Sequence, residues 1–192
     1  MQIAVLALQG AFAEHEMVLR QLGVQSFQVR RLSDWTQPKD GLILPGGEST
    51  VQYRLLVSLG LLAPIRQAIL EGLPVFGTCA GLILLARHED GQPRQGLSTM
   101  DIDVCRNAYG RQLGSFHAEG SVQGIGPDFP MTFIRAPYVH RTLSGRVHIL
   151  AQKDGRITAV QQGCQLAAAF HPELTGDTRL HEYFLRLAEH PF

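Results

Sequence analysis

The chain carries little that would tie it to a membrane, a nucleic acid or a metal. Lys plus Arg and Asp plus Glu number 17 each, so the formal net charge is zero, and no bulk attraction to polyanions or lipid surfaces follows. There is no run of basic residues with interleaved aromatics. The N-terminus, Met1-Gln2-Ile3-Ala4-Val5-Leu6-Ala7-Leu8, has no positive lead-in, and its apolar run is too short for a signal peptide or a membrane span. Cysteine is scarce. Cys79, Cys105 and Cys164 form an odd set without ligand-like spacing, which argues against a disulfide framework and for a reducing compartment, the cytoplasm by default. The eight histidines are scattered and no His-Glu-x-x-His occurs, so neither metal nor cofactor is expected. There is no phosphate-loop motif. The first strand-to-helix turn reads Leu-Gln-Gly-Ala, which excludes the dinucleotide fingerprint at its usual place.

What is present is an ordinary globular composition, 45% hydrophobic and 18% charged over 192 residues. Residues 1–192 are read as a single domain with a sizeable core. Ile3 to Leu8 is a continuous apolar run, the mark of a strand buried on both faces of a parallel sheet. A helix follows over Ala11 to Leu22, with Phe12, Met17, Val18 and Leu22 as its apolar face and Gly23 as its stop. Val24 to Arg30 and Gly41 to Leu44 read as strands, with a polar loop over 31–40 between them. Ser49 and Gln52 match a capping box that opens a helix. Leu61 to Gly72 reads as another helix, with Pro64 near its first turn. A further strand and helix follow, the helix ending near His88.

From Gly91 to Gly163 short strand-like runs dominate: 100–105, 112–116, 131–134, 147–151 and 157–161. Gly120 to Gly126 follows no strand-to-helix switch and reads as loop. Gln165 to Phe170 is a last buried strand, and Asp177 to Glu189 a closing helix with Leu180, Phe184 and Leu187 on one face. The expected fold is a three-layer αβα domain, with a mostly parallel sheet and an antiparallel extension.

One stretch carries the strongest chemical signal. Gly77-Thr78-Cys79-Ala80-Gly81 sits between two apolar runs, with glycines two residues either side of a cysteine. This resembles a nucleophile elbow with sulfur in place of oxygen. Cys79 would face the first N–H groups of the next helix, which favour thiolate; the alternative is a structural cysteine in a glycine-rich turn. Sites in parallel sheets form at the carboxyl ends of strands, and two more such ends stand out. His171-Pro172-Glu173 offers a base and a carboxylate two residues on, on the same side of an extended segment; in isolation it reads as a surface loop facing water, a reading that loses ground with Cys79 at a neighbouring strand end. His140 and His117 are rival bases, but neither has a carboxylate two residues on its C-terminal side. Pro45-Gly46-Gly47 is either a plain turn or an oxyanion hole, with the N–H groups of Gly47 and Ala80 as donors. Cys105 and Cys164 are expected to be buried and inert.

Taken together, these residues resemble the class I, triad-type glutamine amidotransferases, whose domain is flavodoxin-like. The match is closer to one branch, which provides the glutaminase subunit of pyridoxal 5′-phosphate synthase. It rests on Leu8-Gln9-Gly10-Ala11, Pro45 to Thr50, Gly77 to Leu82, Arg106 to Gln112, Phe133 to Pro137 and His171 to Thr175. The resemblance implies hydrolysis of L-glutamine to glutamate and ammonia. Cys79 would be the nucleophile that forms a γ-glutamyl thioester, His171 the acid–base and Glu173 its orienting partner. Gly47 and Ala80 would supply the oxyanion N–H groups. Gly47, Glu48, Ser49, Arg106, Ile134 and Arg135 match positions that hold glutamine, and either arginine suits the α-carboxylate. Gln9 matches a position linked to activation at an interface. The implied partner is a separate (β/α)₈ synthase subunit that receives the ammonia through a tunnel, in an assembly of twelve plus twelve subunits. Leu97-Ser98-Thr99-Met100 departs from the branch, which usually has glycine and small apolar residues there. Rival readings are the glutaminase subunit of another amidotransferase, a cysteine peptidase or redox protein on a related fold, and a catalytically silent binding subunit.

Overall fold

Apolar runs without alternation build the middle of the sheet, because strands covered by helices on both faces have no solvent side. The computed structural model describes residues 1–106 and 114–189. The first part of the chain is β1 (Gln2–Leu6), α1 (Phe12–Gln21), β2 (Gln25–Val29), α2 (Leu32–Trp35), β3 (Gly41–Leu44), α3 (Ser49–Ser58), α4 (Leu62–Leu70), β4 (Val75–Thr78) and α5 (Ala80–Leu85). Then come β5 (Ala86–Glu89), β6 (Gln92–Pro93), β7 (Met100–Cys105), β8 (Ser115–Val122), β9 (Gly126–Ile134), β10 (Tyr138–Thr142), β11 (His148–Lys153) and β12 (Arg156–Gln162). The chain returns to the centre with β13 (Gln165–Ala168), a 3₁₀ turn at Pro172–Leu174 and α6 (Arg179–Glu189).

The strand order of the main sheet is β2-β1-β3-β4-β13-β12-β10-β7-β5-β6, with β11 on β12. Neighbours from β2 to β13 run parallel, whereas β13–β12, β12–β10 and β10–β7 are antiparallel. The order of the first five is that of a flavodoxin-like sheet, so β1 and β3 flank the topological switch point where sites form. β8 and β9 make a separate hairpin. The fold is thus the expected α/β class, with a mostly parallel sheet and an antiparallel extension.

Side-chain alternation divides the layers. Phe76 and Thr78 of β4 face α1 and α6: the Phe76 ring lies 5.7 Å from Phe184 and 6.0 Å from His15. Gly77 faces α5, and a Cβ there would sit 2.7 Å from the Gly81 carbonyl carbon. Phe76 and Phe184 are fully buried, each contributing about 2–3 kcal/mol relative to exposure.

The structure corrects several readings. Met17 is 63% exposed, and the buried face of α1 is His15, Val18 and Leu19. The loop over 31–40 contains α2, and β10 falls between the strand-like runs 131–134 and 147–151, where no strand is expected. Helix α5 stops at Leu85, because Ala86 is extended and pairs with Met100 of β7. The strand read over 112–116 lies partly outside the described residues and continues as β8, and the stretch 120–126 read as loop holds the end of β8 and the start of β9. Cys105 and Cys164 are half-buried rather than buried; Cys164 lies in the turn before β13, its thiol 3.3 Å from the Gly72 carbonyl. Burial, first among the causes, raises both thiol pKa values. The departure at Leu97 to Met100 is a tight entry to β7, with Leu97 and Ser98 N–H both donating to the Leu84 carbonyl and Ser98 at φ 52°.

Candidate active site

Cys79 stands at the carboxyl end of β4 with φ 47° and ψ −98°, a conformation that L-residues adopt only where the surroundings enforce it. Its N–H donates to the Ala168 carbonyl at 2.8 Å, which ties the elbow to β13. The flanking glycines are required by close backbone approach: a Cβ on Gly81 would lie 2.1 Å from the Leu44 carbonyl oxygen. Ala80 is the first residue of α5, so its N–H has no partner within the helix.

His171 follows β13, and its Nδ1 lies 2.7 Å from Glu173 Oε1. The segment is not extended. His171 has φ −107° and ψ 85° and leads into the 3₁₀ turn, and it is this turn that folds Glu173 back onto the ring. Cys79 and the imidazole line one cleft. Both His171 and Glu173 are 6% exposed. Burial pulls the His171 pKa down, but Cys79 and the Glu173 carboxylate outweigh it and push it up to about 10. Burial likewise pushes the Glu173 carboxyl up, while His15 and His171 more than offset this and hold it below the usual carboxylate range. Gly46 makes room for the ring: a Cβ there would sit 2.3 Å from His171 Cε1.

The loops after β1 and β3 are stitched together across the switch point. Ala11 N–H donates to the Gly46 carbonyl at 3.0 Å, and Glu48 N–H donates to Gln9 Oε1 at 2.7 Å. Helix α3 starts at Ser49, as the sequence predicts, but the capping box does not form. The Gln52 amide donates instead to the carbonyls of Gln9 and Pro45, at 2.9 and 3.1 Å. A Cβ on Gly47 would meet Gln9 Oε1 at 2.4 Å, so Gln9 packs directly on the Gly47 backbone.

A cleft of about 400 Å³ opens over these groups, lined by Gln9, Gly47, Glu48, Ser49, Cys79, Arg106, Ile134, Arg135 and His171. Of the residues singled out from the sequence, Ala80 and Glu173 do not line it: Ala80 is buried beneath Cys79, and Glu173 lies behind the His171 ring. The Ile134 carbonyl lies 4.0 Å from the Cys79 sulfur. Arg135 is exposed at φ 42°. The Arg106 guanidinium is clamped by Glu89 through Nε and, at 3.2 Å, through Nη2, and Nη1 donates to Thr50 Oγ1 at 3.3 Å. The remainder of the Arg106 to Gln112 motif lies outside the described residues. His117 lines a different groove and is paired with Thr132 Oγ1 at 3.0 Å; His140 is exposed on β10. Neither rival base reaches this cleft.

Sequence reasoning missed Glu89, Thr78, His15 and His181. The last three form a buried polar group behind Glu173. Among the described residues no group of three or more His, Cys, Asp or Glu is placed to hold a metal ion, and no single helix is long and apolar enough to cross a membrane.

Comparison with known proteins agrees with this geometry. The sequence profile of the SNO glutamine amidotransferase family matches residues 5–190. The chain is 55% identical, over 98% of both sequences, to the pyridoxal 5′-phosphate synthase subunit PdxT of Streptococcus pneumoniae. It superposes on a crystal structure of a glutamine amidotransferase with a TM-score of 0.91 and 44% identity, covering 97% of this chain and 98% of that one. A putative GMP synthase component from Thermoplasma acidophilum has a TM-score of 0.70 at 18% identity, covering 98% of this chain and 94% of that one, and so shares the fold. The chain belongs to the SNO glutamine amidotransferase family.

Proposed function

We propose that this protein hydrolyses L-glutamine to L-glutamate and ammonia, and delivers the ammonia to a separate synthase subunit that makes pyridoxal 5′-phosphate. The observation that carries the reading is the series Glu173–His171–Cys79, ordered at the floor of a cleft with two arginines on its walls. Residues 1–192 act as one glutaminase domain, in the cytoplasm.

The geometry supports a two-stage acyl transfer. The Cys79 sulfur attacks the carboxamide carbon of glutamine while His171 already holds the proton as imidazolium. The oxyanion meets the N–H groups of Gly47 and Ala80, one such donor being worth roughly 3 kcal/mol. The imidazolium then gives its proton to the leaving nitrogen. Ammonia departs and a γ-glutamyl thioester remains on Cys79. His171 next takes a proton from water, whose oxygen attacks the thioester, and glutamate leaves with the imidazolium restored beside the sulfur. Glu173 holds the ring with Nδ1–H toward itself and Nε2 toward the sulfur, and stabilises the imidazolium formed in each stage. Glu48, Ser49 and Ile134 shape the glutamine site. Arg106 and Arg135 are the cations available to the α-carboxylate, and Arg106 must share its guanidinium with Glu89. Gln9, packed on the Gly47 backbone, is placed to transmit contact with a partner to the oxyanion hole.

The partner is a (β/α)₈ synthase subunit, in a complex of twelve plus twelve chains. The test is ammonia release by the purified chain with and without that subunit. Weak activity alone and strong activity together are expected, with labelling of Cys79 by a glutamine-mimicking electrophile that glutamine competes away. Labelling that glutamine does not slow would overturn the assignment in favour of other cysteine chemistry.

A further inference from the structure

His15 lies on α1, far in sequence from the catalytic motifs, yet its ring touches two elements that build the site and one that lies behind it. It is fully buried. Its Nε2 lies 3.1 Å from Thr78 Oγ1 and 3.5 Å from Glu173 Oε2. Its Nδ1 lies 2.9 Å from Nε2 of His181 on α6, which is also fully buried. Thr78 immediately precedes Cys79, and its hydroxyl oxygen accepts the Gly46 N–H at 3.0 Å. One imidazole is therefore the common neighbour of the triad carboxylate, the residue before the nucleophile and, through Thr78, the turn that carries Gly47.

We propose that His15 is a positioning residue for glutamine hydrolysis: its Nε2–H braces Glu173 Oε2 and Thr78 Oγ1, and so holds the His171–Glu173 pair in register with Cys79 and the Gly46–Gly47 turn. The inference rests on the glutaminase reading of the site. Glu173 uses Oε1 for His171, and Oε2 is buried with no hydrogen bond of its own. A carboxylate oxygen in that position requires a facing N–H, because a bare nitrogen lone pair 3.5 Å away would repel it. The proton therefore belongs on Nε2, shared between Thr78 and Glu173. Nδ1 then accepts from His181 Nε2–H, and His181 Nδ1 is left as a buried lone pair without a partner, the less costly way to leave a nitrogen unsatisfied. Burial, foremost, together with the nearby His171 keeps the His15 pKa below its usual value against the pull of Glu173 and Glu14. Burial and His15 hold His181 lower still. Burial thus favours the neutral form of both rings, and the brace is read as a directed hydrogen bond. The length of the Glu173 contact suits a group that tightens as imidazolium forms on His171.

The experiment compares His15→Phe, His15→Gln and His15→Asn, each assayed for ammonia release with the synthase subunit present and each melted. Gln carries its amide nitrogen near the place of Nε2, Asn near that of Nδ1, and Phe keeps the ring without either. His15→Phe is expected to lower kcat about 10–100-fold, the range of one hydrogen bond to a charged group, with the KM for glutamine within about threefold. His15→Gln is expected to recover most of the loss and His15→Asn little of it, whatever their melting temperatures. Full kcat in His15→Phe, or losses that follow melting temperature across the three, would reduce His15 to core packing. If His15→Phe does not fold, the Gln and Asn variants decide between them: equal kcat overturns the proposal. An ¹⁵N spectrum of the wild-type imidazoles gives a readout independent of turnover, and protonation of His15 at Nδ1 in place of Nε2 would also overturn it. If the wild-type complex releases no ammonia, the glutaminase reading fails, while the spectrum still tests the brace.

Discussion

The parallel half of the sheet and its antiparallel extension contribute to the cleft in different ways. Strands β3, β4 and β13 run parallel and end together, so Gly46–Gly47, Cys79 and His171 meet at one edge without any long loop. Behind them the polar groups are buried and cross-linked: Glu173, His15, His181 and Thr78 lie in a layer otherwise filled by Phe76 and Phe184. The separate β8–β9 hairpin supplies Ile134 and Arg135, and the extension supplies Arg106 from the end of β7, all exposed. Its own buried charges are used for holding strands together. Asp101 of β7 is paired with Arg87 at 2.7 Å and Arg146 at 2.6 Å and accepts from Ser144 at 2.8 Å, away from the cleft. In the proposed reaction one half fixes the reacting atoms and the other offers a binding wall. Mutations should accordingly divide between kcat and KM along the same boundary.

The largest effect should come from His171→Ala, which removes the proposed acid–base from the rigid half. Turnover with the synthase subunit present is expected to fall roughly 10²–10⁴-fold, measured as ammonia release; wild-type turnover would sink the base assignment. Gly46→Ala comes next. Its Cβ would overlap His171 Cε1 at 2.3 Å, and displacing a catalytic ring by about an ångström can cost on the order of 10²-fold. Stopped turnover with intact cleft binding of glutamine is the expected pattern.

Glu173→Gln tests the electrostatics of the same half. The carboxylate is one of the causes that raise His171 to about 10, so the imidazolium persists until the pH rises through that value. In the variant the alkaline limb of kcat/KM should move to lower pH; an unmoved limb would mean that Glu173 does not tune the ring. Linkage has a matching sign. His171, raised on folding, contributes stability that is present below its unfolded value and lost as pH rises toward about 10. Glu173, lowered on folding, contributes stability present above its unfolded value and lost on acidification.

On the other side of the boundary, Arg135→Ala should raise the KM for glutamine about tenfold while kcat changes less, as expected for loss of one charge-assisted contact. A selective fall in kcat would break the division proposed between the halves. The smallest effect on turnover should be that of Asp101→Asn. Thermal melting should show a loss of about 1–3 kcal/mol from the weakened arginine contacts, with kcat and KM unchanged.

The parallel half is also the more legible in the sequence. Ile3–Leu6, Leu42–Leu44 and Val75–Phe76 are unbroken apolar runs, each followed by glycine-bearing turns, and such patterns have few other solutions. The extension and the β8–β9 hairpin are harder to read because their strands are half-exposed and mixed in composition: β10 leaves no clear apolar run, and β8 and β9 reach well beyond theirs. Within the helices, side-chain types mislead where a polar group is buried. Spacing from Phe12 to Val18 and Leu19 puts His15 on the inner face of α1, but a histidine does not register as core, and Met17 takes its place in the expected apolar face. The capping box at Ser49 and Gln52 fails for a similar reason, since the Gln52 amide finds two carbonyl acceptors from other loops.

The sequence by itself determined the elbow at Cys79, the His171–Glu173 pair, the glycines that allow close backbone contact and the class of the fold, because these depend on local pattern and on which residues can occupy a tight turn. Tertiary structure alone decided that Glu173 reaches His171 through a 3₁₀ turn, that Glu89 clamps Arg106, and that His15 and His181 lie behind the carboxylate. Those are contacts between segments up to 166 residues apart, and no local preference encodes which buried polar groups will need one another once water is excluded.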